Sequence, residues 1–149
     1  MNKVSISILD CDFDNLEFEI NRINKSNSDY IHIDIMDGAF VESDTRNLFD
    51  LNRIKKFSKI PLDIHLMVNN PLSIIDQYAK SNPDFITIHF ENNPDIKDCI
   101  ELIKSHNISA GIAINPDTEI SKLKPYLKDV DLILVMSVFP GKGGQKFIN

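Results

Sequence analysis

Side chains able to hold a divalent metal recur in this sequence at a spacing of two. In YIHIDIMDGAF, residues 30–40, His32, Asp34 and Met36 alternate with Ile31, Ile33 and Ile35. In PLDIHLMV, residues 61–68, Asp63, His65 and Met67 repeat the pattern. On a strand, residues i and i+2 share a face, roughly 6.5 Å apart along it. Strands that neighbour one another lie about 4.8 Å apart, so such a pair brings His32, Asp34 and His65 to one point. Two imidazoles and a carboxylate suit one divalent cation, Zn, Fe, Mn or Co, and the sequence does not choose among them. The competing reading is a hydrogen-bonded set without metal, the usual state of an isolated H-x-D pair. Charges inside a barrel must be satisfied, because stranding one there is costly, and a cation satisfies all three groups together.

Other residues carry weaker signals. Met36, Met67 and Met136 each fall near a strand end, where methionine either fills the core or lines a cavity and excludes water. PGKGGQ, residues 140–145, is either an ordinary turn or a set of backbone N–H donors for a phosphate. His89 shares a face with Thr87 and is expected to be packed and hydrogen-bonded. Asp63 either orients His65 or accepts backbone hydrogen bonds. Lys142 either meets a phosphate or is solvated. His106 is expected at a helix end, where positive charge suits the dipole.

The elements that must position these groups alternate. Strand-like runs are expected at 4–9, 29–36, 61–68, 84–90, 109–115 and 131–138, and helical runs at 14–26, 47–57, 70–81, 94–106 and 118–127. Leu16, Ile20 and Ile23 mark one helical stripe, and Leu48, Leu51 and Ile54 another. Pro71 opens a helix where its missing N–H costs nothing. Asn107 stands where a helix often ends in a left-handed residue. Strict alternation implies right-handed crossovers and a parallel sheet with helices outside, either doubly wound or a (β/α) barrel. In both, chemistry collects at the C-terminal ends of strands. His32, Asp34, His65, Met67, His89 and Met136 are all placed by this reading in that half of their strands.

The 149 residues suffice for one domain, 1–149. With 16 Lys and Arg against 22 Asp and Glu, the net charge of −6 argues against a broad nucleic-acid surface. Cys11 and Cys99 have neither metal spacing nor a disulfide framework. The short apolar run Val4–Leu9 is neither a signal peptide nor a membrane span, so a reducing cytoplasm and no membrane partner are expected.

SISILDCDFDNL (5–16), YIHIDIMDGAFV (30–41), PLDIHLMV (61–68), FITIHFE (85–91), AGIAINPDT (110–118) and VMSVFPGKGGQKFI (135–148) resemble, in order and spacing, ribulose-phosphate 3-epimerases. The resemblance runs through the whole chain. It implies a TIM (β/α)8-type barrel that interconverts D-ribulose 5-phosphate and D-xylulose 5-phosphate with a bound divalent metal, as an isomerase of the pentose phosphate pathway. It implies that His32, Asp34 and His65 are metal ligands and that Asp34 is also one of two acid/base carboxylates. It further implies that Ser7 and His65 contact the phosphorylated ketose, that Met36, Met67 and Met136 flank an enediolate, and that Gly141, Lys142, Gly143 and Gly144 form a substrate-contacting loop.

The sequence also departs from that family. The family barrel has eight strands, and a D-G-G stretch on the seventh supplies the second catalytic Asp, which is also a fourth metal ligand. The expectation is therefore an incomplete barrel of about six strands and five helices, lacking the last two βα units, with open edges on strands one and six and little or no turnover. Asp10 and Cys11 replace a usual Ser and Ala, residues 42–47 replace P-N-x-T-F-G, and Phe139 and Lys142 replace Asn and Phe. Rival readings are an epimerase of a six-carbon ketose phosphate of the allulose 6-phosphate type, and a non-catalytic metal-binding fragment. A homo-oligomer covering the open edges would support the fragment reading, and a further rival, a structural βα domain with no site, predicts no metal and leaves the inward His and Asp residues unexplained.

Overall fold

A computed structural model describes residues 2–91 and 93–148. Six strands, β1 (Ser5–Ser7), β2 (Tyr30–Met36), β3 (Leu62–Met67), β4 (Phe85–His89), β5 (Ser109–Ile114) and β6 (Leu132–Val135), form one sheet in sequence order. Every neighbouring pair is parallel. The sheet curls: Ser5 Oγ on β1 donates to Asp63 Oδ2 on β3, 2.8 Å away across the inner face. Side chains of β1 and β6 line a common cavity of about 330 Å³. The architecture is an incomplete TIM-type (β/α) barrel. Among the described residues β1 pairs with β2 alone and β6 with β5 alone, and Val4, Ile6 and Val135 are exposed at those edges.

The alternation of residue types decides which face is which. Ile31, Ile33, Ile35, Ile64, Leu66, Ile86, Ile88 and Ile112 are fully buried on the outer face, under the helices. Each such side chain contributes about 1.5–3 kcal/mol by leaving water. The even-numbered residues of β2 and odd-numbered residues of β3 point inward. Helices α1 (Leu16–Asn24), α2 (Leu51–Phe57), α3 (Ile75–Ala79) and α4 (Ile96–Ser105) cover the outside. Leu16, Ile20 and Ile23 form the buried stripe of α1 as expected. Asn107, at φ +59°, ends α4 in the left-handed region as expected.

Several expected boundaries move. Helix α2 starts at Leu51, because the Asp50 side chain caps it by accepting from Arg53 N at 3.1 Å. Leu48 is outside the helix and 40% exposed, so it does not join the stripe of Leu51 and Ile54. The 70–81 helix divides into a 3-10 turn, Pro71–Ser73, and α3. The 118–127 helix is a 3-10 segment, Ile120–Tyr126, with Pro125 inside it; proline removes a helical donor. Strand β6 ends at Val135, and Met136 lies one residue beyond it, half-buried. His32 is the third of seven residues in β2, in the N-terminal half of its strand rather than the C-terminal half.

Candidate metal centre

Register brings the ligating types together. His32 is the partner of Asp63 across β2 and β3, and Asp34 is the partner of His65. His32 Nε2 stands 3.4 Å from Asp34 Oδ1, and His65 Nδ1 stands 3.5 Å from the same oxygen. One ligand atom from each of His32, Asp34 and His65 lies within 4.8 Å of the other two. Ligands bonded at about 2.0–2.1 Å to a tetrahedral ion are about 3.4 Å apart. The donor set and its spacing therefore fit a small divalent cation.

Each of these three side chains is held from behind. His32 Nδ1 meets Asp63 Oδ2 at 2.7 Å, leaving Nε2 to face Asp34. Ser7 Oγ donates to Asp34 Oδ2 at 2.6 Å, leaving Oδ1 between the two imidazoles. His65 Nε2 meets His89 Nε2 at 2.9 Å, and His89 Nδ1 meets Glu91 Oε2 at 3.0 Å. A carboxylate or another acceptor behind a metal-binding histidine fixes the ring and raises its basicity. Asp63 thus serves His32, where the sequence left it either orienting His65 or accepting backbone hydrogen bonds, because the register sets it beside His32. His89 is packed and hydrogen-bonded as expected, 2% exposed, with the Phe40 ring 4.7 Å from its own.

The charges agree with the contacts. Burial opposes protonation of His32, yet Asp34 and Asp63 prevail and push it up to about 10. Burial likewise opposes ionisation of Asp34, but His32, His65 and Ser7 hold it well below the usual carboxylate range. Burial lowers His65 to about 4, keeping its ring neutral at pH 7. Asp63 is lowered despite burial by His32 and Ser5.

The remaining sequence-derived candidates divide between the inner face and the strand ends. Met36 and Met67 are cross-strand partners, 1% and 2% exposed, on the same inward phase as the ligands. Thr45 stitches the end of β2, donating to Asp34 O at 2.6 Å and accepting from Met36 N at 2.9 Å. Asp37 accepts from Ala39 N, Phe40 N and Asn69 N, tying the loops after β2 and β3 together. Gly141 and Lys142 line a cavity of about 570 Å³ with Gly38, Phe40, Glu91 and Asn115. Gly143 and Gly144 line a separate cavity beside β1 that includes Ser7. Gly141 takes φ +113° with its Cα against Val41, where an added Cβ would come to 3.0 Å. Lys142 pairs with Glu42 at 3.2 Å, both exposed.

Glu91 is the site neighbour that the sequence reading passed over. Its Oε1 accepts from Asn115 N at 2.9 Å and Thr118 Oγ1 at 2.5 Å, while Oε2 faces His89. The signal was present: His89 and Glu91 stand two apart on one phase, the same spacing as His32 and Asp34.

No helix among the described residues is long and apolar enough to cross a membrane. Comparison with known proteins matches residues 3–149 to the model of the Ribulose-phosphate 3 epimerase family. A ribulose-phosphate 3-epimerase of Bacillus subtilis is 40% identical over 149 residues, spanning 100% of this chain and 69% of the relative. One of Helicobacter pylori strain J99 is 42% identical, spanning 99% and 67%. One of Synechocystis is 39% identical, spanning 97% and 64%. The chain spans about two thirds of the length of these relatives. It belongs to the ribulose-phosphate 3-epimerase family.

Proposed function

We propose that this chain carries the metal-binding and one-sided proton-transfer part of a ribulose-phosphate 3-epimerase site, acting on a phosphorylated ketose. The carrying observation is the convergence of His32, Asp34 and His65 on the inner face, with ligand atoms within 4.8 Å of one another. In this reading those three residues hold one divalent cation. When bound, it supplies Lewis-acid stabilisation of negative charge on the substrate's oxygens.

The protein's own groups do the rest. Inversion at C3 requires loss of a proton next to the C2 carbonyl and return of a proton on the opposite face. The electron pair of the C3–H bond moves into the C2–C3 bond and onto the C2 oxygen. Asp34 is the base on one face. Its neighbours hold it ionised, the state a base needs. Ser7 fixes that carboxylate and is positioned to touch the sugar. Met36, Met67 and Met136 give the reacting carbons an apolar lining that excludes water. Gly141, Lys142, Gly143 and Gly144 are assigned to the loop that contacts the substrate, with the sugar reaching it from the mouth cavity that Gly141 and Lys142 line.

Solvent exchange at C3 tests this reading without requiring inversion. Ribulose 5-phosphate in D2O, with the protein and Zn²⁺ or Mn²⁺, is followed by loss of the C3 proton signal. Asp34→Asn is expected to slow the exchange by about 10²–10⁴-fold. Wild-type protein that exchanges C3 no faster than Asp34→Asn contradicts the assignment.

A further inference from the structure

A strand in a parallel sheet is ordinarily covered on both faces. All six residues of β3 are buried, yet all three of β1 are exposed. On β6, Val135 is exposed and Leu132, Ile133 and Leu134 are half-buried. Each of these two strands pairs on one side alone, so its other side presents a row of backbone N–H and C=O groups. The two edges look onto one space. Ser5 and Ser7 of β1 and Leu132 and Leu134 of β6 line the same cavity of about 330 Å³. Asp63 and Thr87 line it as well, 7% and 1% exposed. Among the described residues, Asp63 Oδ1 and Thr87 Oγ1 have no hydrogen-bond partner. On the outer side of β1 a second cavity, about 550 Å³, is lined by Ile6, Leu9 and Ile23 together with the ion pair of Glu19 and Arg22. The loop after β6 reaches across the opening: a Cβ on Gly143 would come 2.5 Å from Asp10 Oδ2, in the turn after β1. The chain then doubles back, Ile148 N donating to Ser137 O beyond the end of β6, and leaves both edges uncovered.

We propose that the opening between β1 and β6 is a docking surface for a separate polypeptide that contributes two parallel strands with their helices, the last two βα units of a family member. The width of the opening fixes the number of strands. Two added strands fill three spacings of about 4.8 Å each and bring the sheet to eight, the number whose lumen side chains alone can fill. Ser5 Oγ already meets Asp63 Oδ2 across β2 at 2.8 Å, a curl that suits so narrow a barrel. A second copy of this chain would double the six strands, and a barrel of that size is too wide for two edges that share one small cavity. The amount of chain agrees. This chain spans 69% and 67% of two relatives, and the remaining third of each is of the length that two βα units need. Inward side chains of the incoming strands meet Asp63 Oδ1 and Thr87 Oγ1, and the apolar face of an incoming helix covers Ile6, Leu9 and Ile23. The docking surface is a property of the sheet edges and is independent of the metal reading above.

The test co-expresses the 149-residue chain with a tagged polypeptide made of the last two βα units of the Bacillus subtilis relative. Binding, not turnover, is read, so failure of the metal reading leaves the outcome unaffected. A one-to-one complex is expected by size exclusion with light scattering. Amides of both edges, 5–7 and 132–135, are expected to gain at least about tenfold protection from hydrogen exchange together. Ile6→Lys and Val135→Lys place a charge where each edge is covered, and each is expected to weaken the complex about 10–100-fold. Phe18→Lys is the control. Phe18 is 63% exposed on α1 but lines a different cavity, with Asn21, Arg53 and Phe57, and its change is expected to leave binding as it is. Circular dichroism establishes that each variant is folded; if Ile6→Lys is not, Val135→Lys carries the decision. Absence of the complex overturns the proposal, as does protection of one edge alone. A Phe18→Lys loss as large as that of Ile6→Lys reduces the association to general stickiness and overturns it too. The 149-residue chain dimerising by itself with both edges protected assigns the surface to a second copy and likewise overturns it.

Discussion

Asp63 stands directly across the sheet from His32 and receives its Nδ1 at 2.7 Å, so the ring is presented to Asp34 by its other nitrogen. The same carboxylate is braced by Ser5, one strand further away. Three strands are thus committed to the direction of one imidazole.

Removing that brace is expected to loosen the ring. Asp63→Asn offers His32 an amide that can donate as well as accept, and the tautomer is no longer enforced. Zn²⁺ affinity is expected to fall about 10–100-fold, the usual cost of losing a carboxylate behind a metal-binding histidine. Calorimetric titration reads this directly. Unchanged affinity means that the His32–Asp63 contact does not serve metal binding.

Metal binding is expected to release protons. His32 is held at about 10 by its two carboxylates, so at pH 7 without metal its Nε2 is protonated. A cation at Nε2 must displace that proton. About one proton per bound Zn²⁺ is expected at pH 7 from this group, and the affinity rises with pH. Titrations in buffers of different ionisation enthalpy count the protons.

Acid is expected to destabilise the metal-free fold first through His65 and then through its lowered carboxylates, Glu91, Asp34 and Asp63. His65 is lowered to about 4 by burial, so the unfolded chain binds its proton first and stability falls as pH drops from about 6.5 to 4. Glu91 is lowered to about 2 by its three donors, so its contribution is complete above about 4.5 and fades as pH approaches 2. His32 works in the opposite sense: its contribution is full below about 6.5 and is lost as pH rises through 10. Urea unfolding against pH follows these changes, and Glu91→Gln is expected to shrink the loss below about 4.5 without abolishing it, since Asp34 and Asp63 are lowered as well.

Gly111 is a packing position. A Cβ there would lie 2.4 Å from Thr87 Oγ1, 3.1 Å from Thr87 Cβ and 3.2 Å from Leu132 Cδ2. Thr87 is buried on β4 and stiff at its first side-chain torsion, so it cannot swing clear. Gly111→Ala is expected to cost about 1–3 kcal/mol of stability, the usual range for overpacking. A urea midpoint within error of wild type refutes this.

The sequence disclosed the fold because its strands alternate Ile with polar residues at a strict period of two, so both faces of β2 and β3 were readable. It disclosed the candidate group of His32, Asp34 and His65 for the same reason. It did not disclose which carboxylate backs which histidine. That depends on register, and Asp63 could be matched to His32 only once Ile31 was seen beside Leu62. Glu91 was missed because its partners come from β5 and from Thr118, far along the chain. The short helices were misjudged where a side chain decides the boundary, at the Asp50 cap and at Pro125.

The central claim is that one cation sits among His32, Asp34 and His65. Crystals grown with Zn²⁺ and measured at the zinc edge test it most directly. The expected result is one anomalous peak per chain, about 2.0–2.2 Å from His32 Nε2, an Asp34 carboxylate oxygen and His65 Nδ1. An empty site at saturating Zn²⁺, with His32 still ion-paired to Asp34 and Asp63, contradicts it.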